Sequence, residues 1–342
     1  MRARVREIAL SIALGAGALA LALALGEAAV RVFAPQHPSW LPIYRLHPEL
    51  PIHALVANVD SMFEAGDGAY RVKTDADGWR VGEAAAPAGA ASLWVIGDSY
   101  AFGQGVSFED SFVGQLAALP QVRLRPLNFG VGGYGPRQYR SLLEYELGRR
   151  LPPAFVLVGF YVGNDFMDAV VEKRFSVRDG ILDNPGTLRA WAKRNLHVYR
   201  LLSNALHRLT PSRELEELQA RGAVPKDAEQ RAREIVTREF AAMRDACAAH
   251  GVPLGVVLIP TQAATRALRG EIAGELRDDP ARPMQIANEI CAELGLHCVD
   301  LTGDIAALPT GAAYLAVDGH FAPRAGAVAA RAIAAAFPEL TQ

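Results

Sequence analysis

Ser92-Leu93-Trp94-Val95-Ile96-Gly97-Asp98-Ser99 is the stretch from which the rest of the chain can be read. Leu93 to Ile96 is short, continuously apolar and ended by a glycine, as a strand covered on both faces should be. A small polar turn, Gly97-Asp98-Ser99-Tyr100, follows at once. The same pairing recurs downstream. Val122 to Asn128 reads as a second strand and runs into Asn128-Phe129-Gly130-Val131-Gly132-Gly133. Phe155 to Tyr161 reads as a third and runs into Gly163-Asn164-Asp165. Leu254 to Ile259 and His297 to Asp300 complete the set, and Asp318-Gly319-His320 lies between the last strand and a final helix opened by Pro323.

Helical patterns fill the intervals. Ser107 with Asp110 has the spacing of a capping box before an amphipathic helix that stops near Pro120. Another helix runs through Glu144. Over Asp227 to His250, Val236, Phe240, Met243 and Cys247 recur at helical spacing, and Gly251 suits the position after the helix. A further helix ends at Gly295, and an alanine-rich one ends near Phe337. Short buried strands alternating with helices predict an α/β fold with a central parallel sheet. Residues 166 to about 250 interrupt the alternation and read as a helical insertion, with one helical stretch near Leu188 to Leu209.

The 342-residue chain is 51% hydrophobic and 21% charged, enough to bury a sizeable core. A net charge of −2, with lysines and arginines scattered, argues against nucleic acid, which needs a basic face. The N-terminus departs from this ordinary composition. Arg2, Arg4 and Arg6 precede an uncharged apolar run from Ile8 to Leu25. As a helix this run would reach roughly 27 Å, close to the hydrocarbon thickness of a bilayer. Arginines before it and Glu27 after it predict a single-pass anchor, with the N-terminus in the cytoplasm and the body on the periplasmic or extracellular side. A cleaved signal peptide is the alternative, since Ala22-Leu23-Ala24 resembles a cleavage site. We therefore divide the chain into an anchor (1–27), a proline- and glycine-rich stalk and wrap (28–91) with a final linker over Glu83 to Ser92, and a main domain (92–342). Cys247, Cys291 and Cys298 are too few for a disulfide framework and do not have metal-site spacing. Cys291 and Cys298 could pair in an oxidising compartment; otherwise all three read as small buried residues.

In open α/β sheets, ligands bind beyond the carboxyl ends of the strands, which is where the four polar segments fall. Together they supply what acyl transfer requires. The Ser99 hydroxyl is a weak nucleophile that needs a base, and His320 can be that base. Asp318 could orient the imidazole and stabilise its charged form. The Ser99 and Gly133 amides and the Asn164 carboxamide are candidate donors to a developing oxyanion.

These four blocks resemble those of the SGNH, or GDSL-type, hydrolase family: Ser99 in Gly-Asp-Ser, Gly133 five residues after Asn128, Asn164 in Gly-Asn-Asp, and His320. The resemblance spans about residues 92 to 337 and implies a three-layer, flavodoxin-like fold. It further implies Ser99, Asp318 and His320 as the catalytic residues, Ser99, Gly133 and Asn164 as the oxyanion hole, and neither metal nor cofactor. One departure stands out. Many members place the aspartate three residues before the histidine, whereas Asp318 and His320 are two apart. The shorter form is similar to that of membrane-associated enzymes acting on acetyl groups of exopolysaccharide.

Other readings are weaker. Gly130, Gly132 and Gly135 match the dinucleotide pattern G-x-G-x-x-G, but the next strand runs into Gly163-Asn164-Asp165 instead of ending in a ribose-binding carboxylate. Asp98 and Asp165 read as loop braces, and His197, His207, His250 and His297 as surface or packing residues. The expected protein is thus an exported esterase acting on acyl, best acetyl, esters through an acyl-serine. The alternatives are an O-acyltransferase modifying a cell-surface glycan and a catalytically silent, membrane-tethered glycan-binding protein.

Overall fold

The computed structural model describes residues 2–36, 41–64, 67–83, 91–171, 176–183, 188–209, 226–272, 279–309 and 311–341. Most of the linker expected over Glu83 to Ser92 lies outside them. Helix α1 (Arg2–Phe33) is followed by the antiparallel pair β1 (Tyr44–Leu46) and β2 (His53–Leu55), then by β3 (Asp60–Glu64), β4 (Ala69–Thr74) and β5 (Arg80–Val81). The α/β alternation begins with β6 (Ser92–Gly97), α2 (Ser99–Phe102), α3 (Phe112–Ala118), β7 (Arg125–Gly130), α4 (Pro136–Leu147) and β8 (Phe155–Tyr161). Next come α5 (Asp165–Val170), the hairpin β9 (Ser176–Arg178) and β10 (Ile181–Asp183), α6 (Leu188–Asn195), α7 (His197–Leu209) and α8 (Lys226–Ala249). The chain finishes with β11 (Leu254–Ile259), α9 (Gln262–Leu268), α10 (Arg282–Leu294), β12 (His297–Asp300), α11 (Thr302–Ala306) and α12 (Pro323–Ala336).

The fold is α/β around one eight-stranded sheet of order β12-β11-β8-β6-β7-β5-β4-β3. The five strands β12, β11, β8, β6 and β7 are parallel, in the flavodoxin-like order. Beyond them the sheet is mixed: β5 pairs antiparallel with β7 through Arg80 and Asn128, and β4 and β3 continue outward. The stretch expected as stalk and wrap therefore supplies three strands of the main sheet.

Alternation along the parallel strands divides the core into two layers. Trp94, Ile96, Val156, Val158, Val256 and Leu258 face a layer that contains Leu142 of α4, Phe240 and Met243 of α8, and Ile290 of α10. Leu93, Val95, Leu157, Val257 and Ile259 face Phe112 and Leu116 of α3 and Ala329 and Ile333 of α12. Helix α8 packs on α4, α5 and α10, so the helix read inside an insertion acts as the crossover cover between β8 and β11. The cap of α3 differs from expectation. Ser111 accepts from the Gly114 N–H, whereas Ser107 makes no cap bond and accepts instead from the Arg71 N–H. Two serines four residues apart compete for that role, and the short 3-10 turn Phe108–Asp110 places the second at the helix start.

Helix α1 is long and apolar enough to cross a membrane. Its most apolar window has a mean hydropathy of 2.4 and buries nothing against the body. Cys291 and Cys298 form a disulfide joining the last turn of α10 to β12, and Cys247 is a buried free thiol. Of the two readings open for Cys291 and Cys298, pairing is the one the fold adopts.

Candidate active site

The site lies over the carboxyl ends of β6, β7 and β8, at the switch point where the chain leaves β6 in opposite directions for β7 and β8. Three glycines make room for it. Gly97 is level with Gly130 on one side and Gly159 on the other. A Cβ on Gly130 would come within 2.3 Å of the Phe102 backbone nitrogen, and one on Gly97 within 2.7 Å of the Ala101 Cβ. Their absence lets the four-residue α2 lie directly on the strand ends. Gly132 and Gly135 are likewise explained by packing, against the Tyr44 hydroxyl and the Asp168 Cβ. The glycine run that matches a dinucleotide fingerprint is therefore accounted for by close approach.

Ser99 is the first residue of α2, and Asp98 caps that helix by accepting from the Tyr100 N–H at 2.8 Å. Ser99 Oγ lies 2.7 Å from His320 Nε2, and His320 Nδ1 is hydrogen-bonded to Asp318 Oδ1. The short Asp-Gly-His spacing does not separate the pair. Gly319 takes the left-handed conformation at φ +80°, which turns the backbone between them. Burial alone would lower the His320 pKa, but the Asp318 charge and hydrogen bond outweigh it and leave the imidazole above its usual 6.5. Burial raises Asp318, yet His320 and the hydrogen bonds it receives bring it below the usual 3.8.

Of the candidate oxyanion donors, Ser99 and Gly133 lie at this site. Among the described residues, the Ser99 and Gly133 amides have no backbone or side-chain acceptor. Both residues line the same cleft of about 280 Å³ as His320, together with Gln104, Tyr44, Leu41, Ile181 and Leu182. Asn164 is at the N-terminus of α5, where its Nδ2 donates to Asp98 Oδ2 at 3.4 Å. A carboxamide nitrogen carries two protons, so one remains for a ligand. Burial pushes the Asp98 carboxyl up to about 6. Asp165 accepts from the Tyr139 hydroxyl and the Tyr161 N–H, and so braces the start of α5. His197, His250 and His297 lie away from the cleft, and the side chain of His207 is outside the described residues.

Several residues at the site escape a motif reading. Gln104 Nε2 donates to Asp318 Oδ2. Asp67 accepts from the Val317 and Asp318 amides and so holds the histidine loop. The buried Arg80 donates to the Phe102, Gly103 and Val106 carbonyls, gripping the end of α2, with its guanidinium 4.4 Å from the Phe102 ring centre. The Tyr100 ring packs against His320 at 4.7 Å, and its hydroxyl donates to Gly319 O.

Residues 219–342 match the family model of the SGNH hydrolase-like domain of acetyltransferase AlgX. The chain is similar to that domain over its C-terminal part. The matched stretch contains Asp318 and His320, while Ser99, Gly133 and Asn164 lie upstream of it. No curated protein matches the chain in sequence. Among solved structures the chain is similar to TesA, at 15% identity over 73% of this chain and 99% of that one, with a TM-score of 0.40. An acetylxylan esterase from Geobacillus stearothermophilus, crystallised as a catalytic mutant, is 16% identical over 75% of this chain and 100% of its own, also at 0.40. A lipolytic G-D-S-L family protein from Veillonella parvula is 11% identical over 72% and 98%, again at 0.40.

Proposed function

We propose that the protein is an exported, membrane-anchored serine esterase that removes acyl groups, acetyl foremost, from ester substrates. Ser99 Oγ attacks the ester carbonyl as His320 Nε2 takes its proton, and Asp318 stabilises the resulting imidazolium. The tetrahedral oxyanion is met by the Ser99 and Gly133 amides and the Asn164 carboxamide. Collapse expels the alcohol, which receives the proton from His320 and leaves an acyl-Ser99 ester. A second hydroxyl, activated by the same imidazole, then releases the acyl group. The observation that carries this reading is the 2.7 Å contact of Ser99 Oγ with His320 Nε2, with Asp318 on the far ring nitrogen.

The match to an acetyltransferase domain favours a second reading, in which the accepting hydroxyl belongs to a glycan. The residues would be the same, and the outcome would depend on whether water is kept from the acyl-enzyme. Leu41, Ile181 and Leu182 give the cleft apolar walls suited to that exclusion. The anchored topology rests on Arg2, Arg4 and Arg6 preceding the apolar run of α1. The disulfide, a bond of oxidising compartments, supports export of the body.

The test uses the full chain in detergent with a small activated acetate ester, alongside Ser99→Ala. Acetate release by the parent and not by the variant is expected, and equal rates would point to a silent glycan-binding protein. Adding an oligosaccharide acceptor and weighing the product by mass spectrometry separates transfer from hydrolysis.

A further inference from the structure

The Gly133 amide is one end of a peptide unit whose other end, the Gly132 carbonyl, is held by a residue from far upstream. His53 of β2 places Nε2 at 2.9 Å from Gly132 O. The ring is only 4% exposed, with the Tyr44 and Tyr134 rings set edge-on at centroid distances of 5.6 and 4.9 Å. The Tyr134 hydroxyl also donates back to the His53 carbonyl. Burial depresses the His53 pKa to about 4, so the ring is neutral at pH 7 and carries a single proton. A carbonyl oxygen only accepts, so that proton is on Nε2.

The turn itself explains why such a contact matters. Tyr134 N donates to Val131 O, making Gly132 and Gly133 the central residues of a β-turn. Gly133 has φ +85°, the signature of a type II turn. Rotation of the central peptide converts type II to type I and reverses the direction of its N–H. With glycine on both sides, no side chain opposes that rotation. A donor on the Gly132 carbonyl stabilises one orientation, and it also polarises the peptide so that the N–H at the other end donates more strongly.

We propose that His53 is a positioning residue for acyl transfer, locking the Gly132–Gly133 peptide so that the Gly133 N–H faces the oxyanion. This rests on the reading of Ser99 as nucleophile and of the Gly133 amide as oxyanion donor. It gives the segment before the α/β alternation a part in transition-state stabilisation without touching substrate.

Glutamine and histidine place Nε2 the same number of bonds from Cβ, whereas asparagine is too short to reach. The experiment therefore compares His53→Gln, His53→Asn and His53→Leu in the full chain with the activated acetate ester. Loss of one oxyanion donor costs about 10²–10³-fold in kcat, so partial misplacement is expected to cost on the order of tenfold to a hundredfold. That loss should be seen in His53→Asn and His53→Leu with KM within about twofold, and His53→Gln should recover most of it. Affinity for a boronic acid that forms a tetrahedral adduct should fall in parallel with kcat/KM. If His53→Leu does not fold, the asparagine and glutamine variants still carry the comparison. Wild-type kcat in His53→Asn, or equal losses in the asparagine and glutamine variants, would overturn the proposal while leaving the serine mechanism intact. Retained activity in Ser99→Ala would overturn the mechanism and this proposal with it.

Discussion

Gln104 Nε2 donates to Asp318 Oδ2 at 3.1 Å while Oδ1 of the same carboxylate meets His320 Nδ1. Both oxygens are therefore committed, and the carboxylate cannot rotate away from the imidazole without breaking a bond on its other side. Asp318→Asn would lower kcat by about 10²–10⁴-fold, because the amide favours the wrong imidazole tautomer. Gln104→Leu removes one hydrogen bond to a charged group, a loss of about 1.5–3 kcal/mol at most, and should lower kcat by about tenfold. Steady-state kinetics on the acetate ester measures both, and a Gln104→Leu enzyme as impaired as Asp318→Asn would contradict the division of roles.

The pH profile follows from the same pair. His320 must be neutral to act as base, and its pKa lies above 6.5, so kcat/KM should rise with pH through an acid limb centred above 6.5. Asp318→Asn removes the raising charge and should move that limb to lower pH. For stability the signs oppose. The His320 contribution is complete below 6.5 and is lost as pH rises through its folded value. That of Asp318 is complete above 3.8 and is lost as pH falls through its folded value. The melting temperature of the parent relative to Asp318→Asn should therefore be greatest between those limits.

Gly130→Ala tests the seat of α2. Its methyl group would meet the Phe102 nitrogen and Ala101 carbon at 2.3 and 2.5 Å, both backbone atoms. Relief requires α2 to lift, carrying Ser99 with it. We expect a loss of about 1–3 kcal/mol in denaturant unfolding, as for other overpacked sites, with a larger proportional loss of activity. Unchanged stability and rate would show that the strand ends have slack.

Replacing Cys291 and Cys298 by serine should cost about 2 kcal/mol for a loop this short, read as a lower melting temperature. The disulfide joins α10 to β12, at the sheet edge away from β6 and β7, so kcat should be unchanged. A fall in kcat without a change in melting temperature would be inconsistent with a purely structural bond.

Strands β6, β8 and β11 were legible because each is covered on both faces and hence written as an unbroken apolar run; β8 and β11 begin and end at the expected residues. The second strand was less so: β7 starts at Arg125, since Val122 and Leu124 are apolar but pack on the α3–α12 layer before the pairing begins. The positions of Ser99, Gly133, Asn164 and His320 were readable from local turn chemistry following strands. Arg80, Asp67 and His53 were not, because each acts through a backbone group many residues away, on segments too short to show a period. Pairing of Cys291 with Cys298 depended on the left-handed turn at Gly295 that folds β12 back along α10.

The pairing of β5 with β7 has a practical consequence for anyone trimming the protein. A fragment starting at Ser92 would keep Ser99 and His320 but leave the β7 margin uncovered. Such a bare margin offers its amides and carbonyls to a second molecule and invites sticky assemblies. The smallest well-behaved piece must therefore begin upstream of β3, however self-sufficient the later motifs look in the sequence.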